Sequence, residues 1–473
     1  MGLSVTNINT LQLLNIVNRT SSAQSKALTQ LSTGFRINKA SDDPAGLIAA
    51  ENLSAEITAV NTALDNNQRT DALLATAEGG LTEVSSLLQD IESLVLASVN
   101  DSTLSSSEIA ANQAQIDNAL GAIDRIANTT TFNGKNLLSG EQAIQTSGID
   151  PNTVENLQVF SRGPSTSDLS VTATVKTAAA QAKTTISLAA GATLSEDTEI
   201  VVNGTLGSTT VQLATGDDRN AIATKISAAS SITGVTAAVV STNVDLTTTG
   251  TGSDEFVSVD LLSGGSVSAG SPVTTLSRVE GTDAVVTVNG TDVTADGSDV
   301  SYSANGYSFS FSLGTSLDAA NDTETFTIKA AGGLNFQLGS SEATKSTLGI
   351  DSIASHKLGG GDAGAALSAL RSGGSADLAS KSASSLKAVR KGISQVASLR
   401  GRLGGFQRFQ VQTSINSLTK TAESLTQAKS VIVDTDFAEA TAELNRQSVL
   451  LNSGISLLGL ANQQANQILA LLG

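Results

Sequence analysis

The sequence predicts an α+β multidomain chain: a long coiled-coil-like helical bundle from both termini, with an inserted β-rich domain. Three observations predict it. Apolar residues recur at heptad spacing in the first and last parts of the chain. The middle switches to strict alternation, the period of a half-buried strand. The two ends, Met1–Asn18 and Gln447–Gly473, hold no Lys, Arg, Asp or Glu, although charged residues are 15% of the 473. A chain terminus is ordinarily solvated. Amphipathic ends without charge are expected to be buried, against each other and against other chains.

The elements follow in order. Ile8, Leu11, Leu14 and Val17 step by three along a first helix. Ser41, Asp42, Asp43 and Pro44 mark the next helix start, because Asp43 can cap the free amides and Pro44 fits the first helical position. Leu53, Ile57, Val60 and Leu64 then keep a coiled-coil step. After a shift, the seam runs Leu74, Ala77, Leu81, Val84, Leu88, Ile91 and Val95. Gly79-Gly80 interrupts it at up to ~1 kcal/mol per glycine, but the length of the seam predicts one continuous helix. A further helix puts Ile109, Ile116, Leu120, Ile123 and Ala127 on one face and stops at the turn Asn133-Gly134.

The insert changes period. Tyr307, Phe309, Phe311 and Leu313 alternate with serines, and Phe326 and Ile328 with threonines. Asn203-Gly204 and Asn289-Gly290, each between Val and Thr, predict tight hairpin turns. One short helix is expected from Arg219 to Ala229, with Ile222 and Ile226 on one face. The Ser- and Gly-rich runs Leu262–Ser271 and Gly359–Gly364 read as linkers. On the return, Leu386, Val389, Ile393 and Val396 begin a helical stripe that Val411, Ile415, Leu418, Ala422, Leu425 and Ile432 continue. Leu451, Ile455, Leu458, Asn462, Ala465, Leu469 and Leu472 close the chain on a seam with one polar position.

Composition narrows the function. The net charge is −17, and six basic against 17 acidic residues between Val171 and Ala330 place −11 of it in the middle. Nucleic acid and anionic membrane surfaces are therefore not expected partners. A spanning helix needs about 20 mostly apolar residues, and the amides of the final segment speak against one; no secretory signal is read at the N-terminus. Cysteine is absent, Trp is absent and aromatics are 3%. That excludes a disulfide framework, a zinc cluster and a thiol nucleophile, and gives Ala, Leu, Ile and Val the packing. The single histidine, His356, lies in a Gly- and Ser-rich stretch and reads as a solvated loop residue. Neither HExxH nor a P-loop is present. No enzyme activity, catalytic residue, cofactor or metal is expected.

Several motifs carry a family resemblance. Leu31–Asn38 (LSTGFRIN), Ser41–Gly46 (SDDPAG), the TFNGKNLL run around Phe132-Asn133-Gly134, Val433–Phe437 with the following Ala (VDTDFA) and Ser456–Gln463 (SLLGLANQ) resemble, in order, motifs of bacterial flagellins. The span Thr198–Val259 is similar to an insert motif of flagellins and filament-cap proteins. Gly333–Gly339 (GLNFQLG) resembles the strand by which flagellins leave their variable insert. The resemblance implies a secreted structural subunit that polymerises into the extracellular flagellar filament for motility. It implies terminal helices 1–43 and 433–473 in the filament core, a helical rod domain with a small β part at 44–175 and 331–432, and a variable β-rich surface insert at 176–330. The filament-core packing residues would be Ile8, Leu11, Leu14, Val17, Leu451, Ile455, Leu458, Leu469 and Leu472. Implied partners are further copies of the chain, the flagellar export apparatus and its chaperone, and the filament cap and hook–filament junction proteins. A hook–filament junction protein and a secreted β-rich adhesin are the alternatives.

One departure from the family pattern is specific. In many flagellins a Leu-Gln-Arg stretch of the first long helix binds a toll-like innate receptor. Here Leu88, Gln89 and Leu94 match that pattern, but Asp90 and Glu92 stand at its basic positions and Gln115 where it has an acid. The resemblance then implies a poor receptor ligand.

Overall fold

A computed structural model of the chain describes residues 8–99, 104–163, 167–188, 191–268, 272–304, 306–314, 316–317, 319–360, 365–378 and 383–472. The helices are α1 (Ile8–Thr33), α2 (Pro44–Val99), α3 (Ser106–Thr129), α4 (Arg219–Ala228), α5 (Ser230–Thr233), α6 (Ala383–Phe406), α7 (Gln412–Val433) and α8 (Phe437–Leu472). The chain forms two compact units, residues 1–65 with 414–473, and residues 66–413. Among the described residues no helix is long and apolar enough to cross a membrane.

In the first unit α1 and α8 run along each other, and Val60 and Ala63 of α2 pack on Leu418 of α7, with Leu64, Ala422 and Leu425 around them. The start of α2 is built as its sequence requires. Asp43 accepts from the Gly46 amide at 2.9 Å, and Pro44 opens the helix. Gly46 leaves room for its neighbours here, because a Cβ would lie 2.7 Å from Ile37 Cδ1 and 2.5 Å from Asp43 Oδ2 and would displace those side chains.

In the second unit the predicted α2 seam is buried along its whole length, with Leu74, Ala77, Leu81, Val84, Leu88, Ile91 and Val95 all at 2% exposure or less. It is continuous through Gly79-Gly80. Gly80 lets the 130–138 segment approach: a Cβ would meet Leu138 Cδ1 at 2.8 Å and Thr130 Oγ1 at 2.9 Å, whereas one at Gly79 would meet nothing. Ile116, Leu120, Ile123 and Ala127 of α3 are fully buried, and Ile109 is half-buried. Polar clamps join α2 to the returning helix: Glu92 with Arg390 Nε at 3.0 Å, Glu78 with Arg400 Nε at 2.8 Å, and Asp71 with Gln407 Nε2 at 2.8 Å. Between α6 and α7 the chain makes a π turn, Gln407–Val411. Buried positions step by three or four through Val396, Leu399, Leu403 and Phe406, then by five to Val411. A π turn absorbs the extra residue and keeps both stripes on the core side.

The strands are all paired antiparallel. After the small hairpin β1 (Thr131–Phe132) and β2 (Lys135–Asn136) come β3 (Ile144–Ser147), β4 (Val154–Arg162) and β5 (Leu169–Thr177). Next are β6 (Lys183–Ser187), β7 (Thr198–Gly204), β8 (Gly207–Leu213), β9 (Val235–Val240), β10 (Asn243–Thr248), β11 (Phe256–Ser263) and β12 (Leu276–Glu280). The last are β13 (Val285–Val288), β14 (Thr291–Thr294), β15 (Asp299–Ala304), β16 (Tyr307–Leu313), β17 (Thr323–Gly332), β18 (Leu334–Gln337) and β19 (Lys345–Leu348). The larger sheets order as β14-β13-β5-β17-β3, β15-β16-β4-β19-β18, β12-β11-β7-β8 and β6-β10-β9.

The limits of the expected 176–330 insert fall within shared sheets. Strands from both sides of its limits share sheets: β13 and β17 flank β5, and β16 pairs with β4. One core joins Val154, Val159, Val171 and Val175 to Phe309, Phe311, Phe326 and Ile328. A separate core belongs to β6–β12 and α4, with Ile222 and Ile226 fully buried in it as expected. The two strands of chain that enter and leave this second module pair at Ala180 and Thr282, with N–H···O distances of 2.9 and 3.0 Å.

The two Asn-Gly signals part ways. Asn289 (φ 47°) and Gly290 (φ 84°) form the predicted two-residue turn between Val288 and Thr291. Asn203 and Gly204 instead lie within β7, and the turn falls on Thr205-Leu206, between the paired Gly204 and Gly207. Gly204 serves close approach there, since a Cβ would sit 2.2 Å from the Thr233 carbonyl oxygen. The linker readings also shift. Leu262 and Ser263 end β11, and Gly265 is held by hydrogen bonds to Thr198 Oγ1 and from Val273. The segments 269–271 and 361–364 lie outside the described residues.

Candidate functional site: the assembly surface

Two of the sequence motifs meet in the first unit. Gly34 ends α1 in the left-handed region (φ 76°), where its N–H donates to Gln30 O at 2.8 Å. The next residues then lie beside the α7–α8 turn. Arg36 donates from its backbone N–H to Val433 O and from Nη2 to Ile432 O, both at 2.6 Å, and Thr435 N–H donates to Gly34 O at 2.9 Å. Phe35 and Asp434 form a bridge. Asn38 Nδ2 donates to Phe35 O at 2.6 Å. Asp42 closes the loop by accepting from the Lys39 and Asn38 amides and pairing with Lys26 at 3.1 Å. Its hydrogen bond with Lys26, with those of the two amides, holds the Asp42 carboxyl below the usual carboxylate range. LSTGFRIN and VDTDFA are thus two halves of one clasp, a pairing that neither motif reveals alone.

Below the clasp α1 and α8 pack closely. Gln24 Nε2 donates to Ser448 Oγ at 2.9 Å, and Gly454 admits Val17, whose Cγ2 would lie 2.9 Å from a Cβ. Val17, Leu451 and Leu458 are half-buried by this pairing. Leu11, Leu14 and Ile455 are not covered, at 50%, 43% and 53% exposure. The side chains of Ile8, Leu469 and Leu472 lie outside the described residues. On the described charge-free stretches five further large apolar side chains stand exposed that the heptad reading passed over: Ile16, Val449, Leu450, Leu457 and Leu460. Their signal was in the sequence, because α8 carries apolar residues all round, and such a helix is ordinarily enclosed by neighbours. A charge-free apolar surface of this extent marks an interaction site.

The receptor-pattern residues are scattered in burial. Leu88 is fully buried in the α2 seam, where the heptad spacing placed it; Leu94 is half-buried. Gln89, Asp90 and Gln115 are exposed. Glu92 is held by Arg390 within the same chain. Among the described residues no group of three or more His, Cys, Asp or Glu is placed to hold a metal ion.

The comparisons agree with this geometry. The family profile of the bacterial flagellin N-terminal helical region matches residues 5–143, and that of the C-terminal helical region matches 386–472. A flagellin of Salmonella typhimurium is 30% identical, with 99% of both chains covered. The B-type flagellin of Pseudomonas aeruginosa is 30% identical over 100% of both chains, and a flagellin of Salmonella rubislaw 29% identical over 99% of both. With its clasp motifs, its charge-free terminal stretches and relatives matched from end to end, the chain belongs to the bacterial flagellins.

Proposed function

We propose that copies of this flagellin polymerise through the faces of α1 and α8 that its own fold leaves uncovered. As a flagellin the chain is a structural subunit of the extracellular flagellar filament, which serves motility. The observation that carries the assignment of the surface is the set of exposed side chains Leu11, Leu14, Ile16, Val449, Leu450, Ile455, Leu457 and Leu460 on the charge-free stretches of two helices. Burying them between subunits releases apolar surface from water at about 25 cal/mol per Å². A head-to-tail contact that does not close yields a helical polymer. Ile8, Val17, Leu451, Leu458, Leu469 and Leu472 complete the packing set in this reading. Ile455→Asp tests it. The side chain is half exposed in the single chain, so the monomer should keep its helicity. In the filament the carboxylate would be buried without a partner, at several kcal/mol per subunit. Filaments of normal length from the variant, seen by electron microscopy, would overturn the assignment.

The family background supports a set of further partners for this chain: the export apparatus and its chaperone, the filament cap and the hook–filament junction proteins. Weak engagement of the toll-like receptor rests on Asp90, an exposed acid where the receptor pattern has a base.

A further inference from the structure

A cleft of ≈ 720 Å³ opens beside β4, with Ser139, Asn156, Asp351 and Lys357 on its walls and Ile149, Val154 and Leu157 on its apolar side. Its volume is within the range of small-molecule sites, about 300–1,000 Å³. The strand is bulged at this point. Gln158 pairs with Ser310 and Glu155 with Ser312, so Asn156 and Leu157 together face the single residue Phe311. Asn156 takes φ 50°, in the left-handed region that Asn enters more readily than other residues with a side chain. A bulge re-aims a side chain, here that of Asn156 on the wall of the cleft.

The polar groups here lack partners. Ser139 Oγ, Asn156 Nδ2 and Asp351 Oδ2 are buried atoms with no hydrogen-bond partner among the described residues. An unmatched buried donor or acceptor costs stability, and these three line one cleft. Burial pushes the Asp351 carboxyl up to about 7, against the opposing pull of Lys357 and Arg402. The cleft thus presents an unsatisfied acceptor, an unsatisfied amide donor, a hydroxyl, a cation at the rim and an apolar wall. Among the described residues no Phe, Tyr or Trp lines it to stack a sugar or a base.

We propose that this cleft binds a small zwitterion of α-amino-acid size with an aliphatic side chain. Its ammonium group donates to Asp351, its carboxylate accepts from the Asn156 amide and from Lys357, and its side chain lies on Ile149, Val154 and Leu157. The site belongs to the second unit and does not depend on the assembly surface of α1 and α8.

The test is isothermal titration calorimetry of the full chain with L-leucine, leucinamide, 4-methylpentanoate and glycine. Leucine should bind saturably, with a Kd of about 1 mM or below. The three probes, which lack the carboxylate, the ammonium and the aliphatic side chain in turn, should each bind about tenfold more weakly or worse. Lys357→Ala changes an exposed residue and leaves the fold intact. It should weaken leucine several-fold, and Asn156→Leu about tenfold, in protein whose circular dichroism matches the parent. Absence of saturation up to ~50 mM leucine, equal binding of all four probes, or an unchanged affinity in Lys357→Ala would each overturn the proposal.

Discussion

Two deletions distinguish the module with its own core from the strands that complete the rest of the second unit. Removing 183–280 takes out β6–β12 and α4 with all of their core but Ala182, and leaves Ala182 beside Gly281: a Cβ on Gly281 would lie 3.2 Å from the Ala182 nitrogen. The losses at the junction are small. Lys387 gives up its pair with Glu255 (3.2 Å) but regains water, and Asp283 gives up Ser253 but keeps the Gly297 amide. We expect a cost of about 1–2 kcal/mol. Removing 184–330 instead takes Phe309, Phe311 and Phe326, which are 0–2% exposed and stack or meet edge-on at 5.9–6.3 Å. Each such ring is worth about 3–5 kcal/mol, so their loss, about 9–15 kcal/mol together, is comparable to the ~5–15 kcal/mol stability of a typical domain. Val154, Val159, Val171 and Val175 would also be uncovered. Thermal unfolding followed by circular dichroism, with electron microscopy of seeded filaments, reads both effects. The shorter deletion should melt within a few degrees of the parent and assemble; the longer one should lose its β signal and its cooperative transition in that unit. Equal behaviour of the two deletions would refute the division of cores.

Three more outcomes are expected. Asp90→Arg, at an exposed position, should raise receptor-reporter activity with little effect on folding, whereas Glu92→Arg sets two guanidinium groups against each other at the Arg390 site and should cost roughly 1–2 kcal/mol in denaturant unfolding; equal reporter gains from both, at equal stability, would contradict the ion-pair assignment. Gly79→Ala should stabilise α2 by up to ~1 kcal/mol, while Gly80→Ala should destabilise it through contact with Leu138 and Thr130, and thermal melts of the two variants compare the signs directly. The Asp351 carboxyl, about 7 when folded, is raised above its ordinary value of 3.8, so the folded state holds the proton more tightly. Its contribution is complete below about pH 4 and is lost as the pH rises through about 7. Asp351→Asn should therefore lessen the decline of Tm across that window, and parallel Tm–pH curves for parent and variant would exclude the effect.

Much of this protein was determined by local sequence. The heptad steps of α2, α3, α6 and α7 set which faces are buried, because helical periodicity is a property of consecutive residues. Asp43-Pro44 fixed the start of α2, Tyr307–Leu313 its alternating strand, and Asn289-Gly290 its turn, all through interactions within a few residues. The step of five from Phe406 to Val411 held the π turn in plain view, although only the burial of both residues reveals it. The tertiary structure decided what depends on distant partners. The same Val-Asn-Gly-Thr string became a turn at 288–291 and continued strand at 202–205, because at Gly204 the Thr233 carbonyl packs against the backbone. Strands 285–332 joined β3–β5 rather than the neighbouring module, since sheet pairing is chosen by complementary faces and not by adjacency in sequence. The clasp of Arg36 on Ile432 and Val433, the bulge that turns Asn156 into a cleft, and the burial that separates Leu88 from Asp90 are likewise products of packing, which no single stretch of the chain encodes by itself.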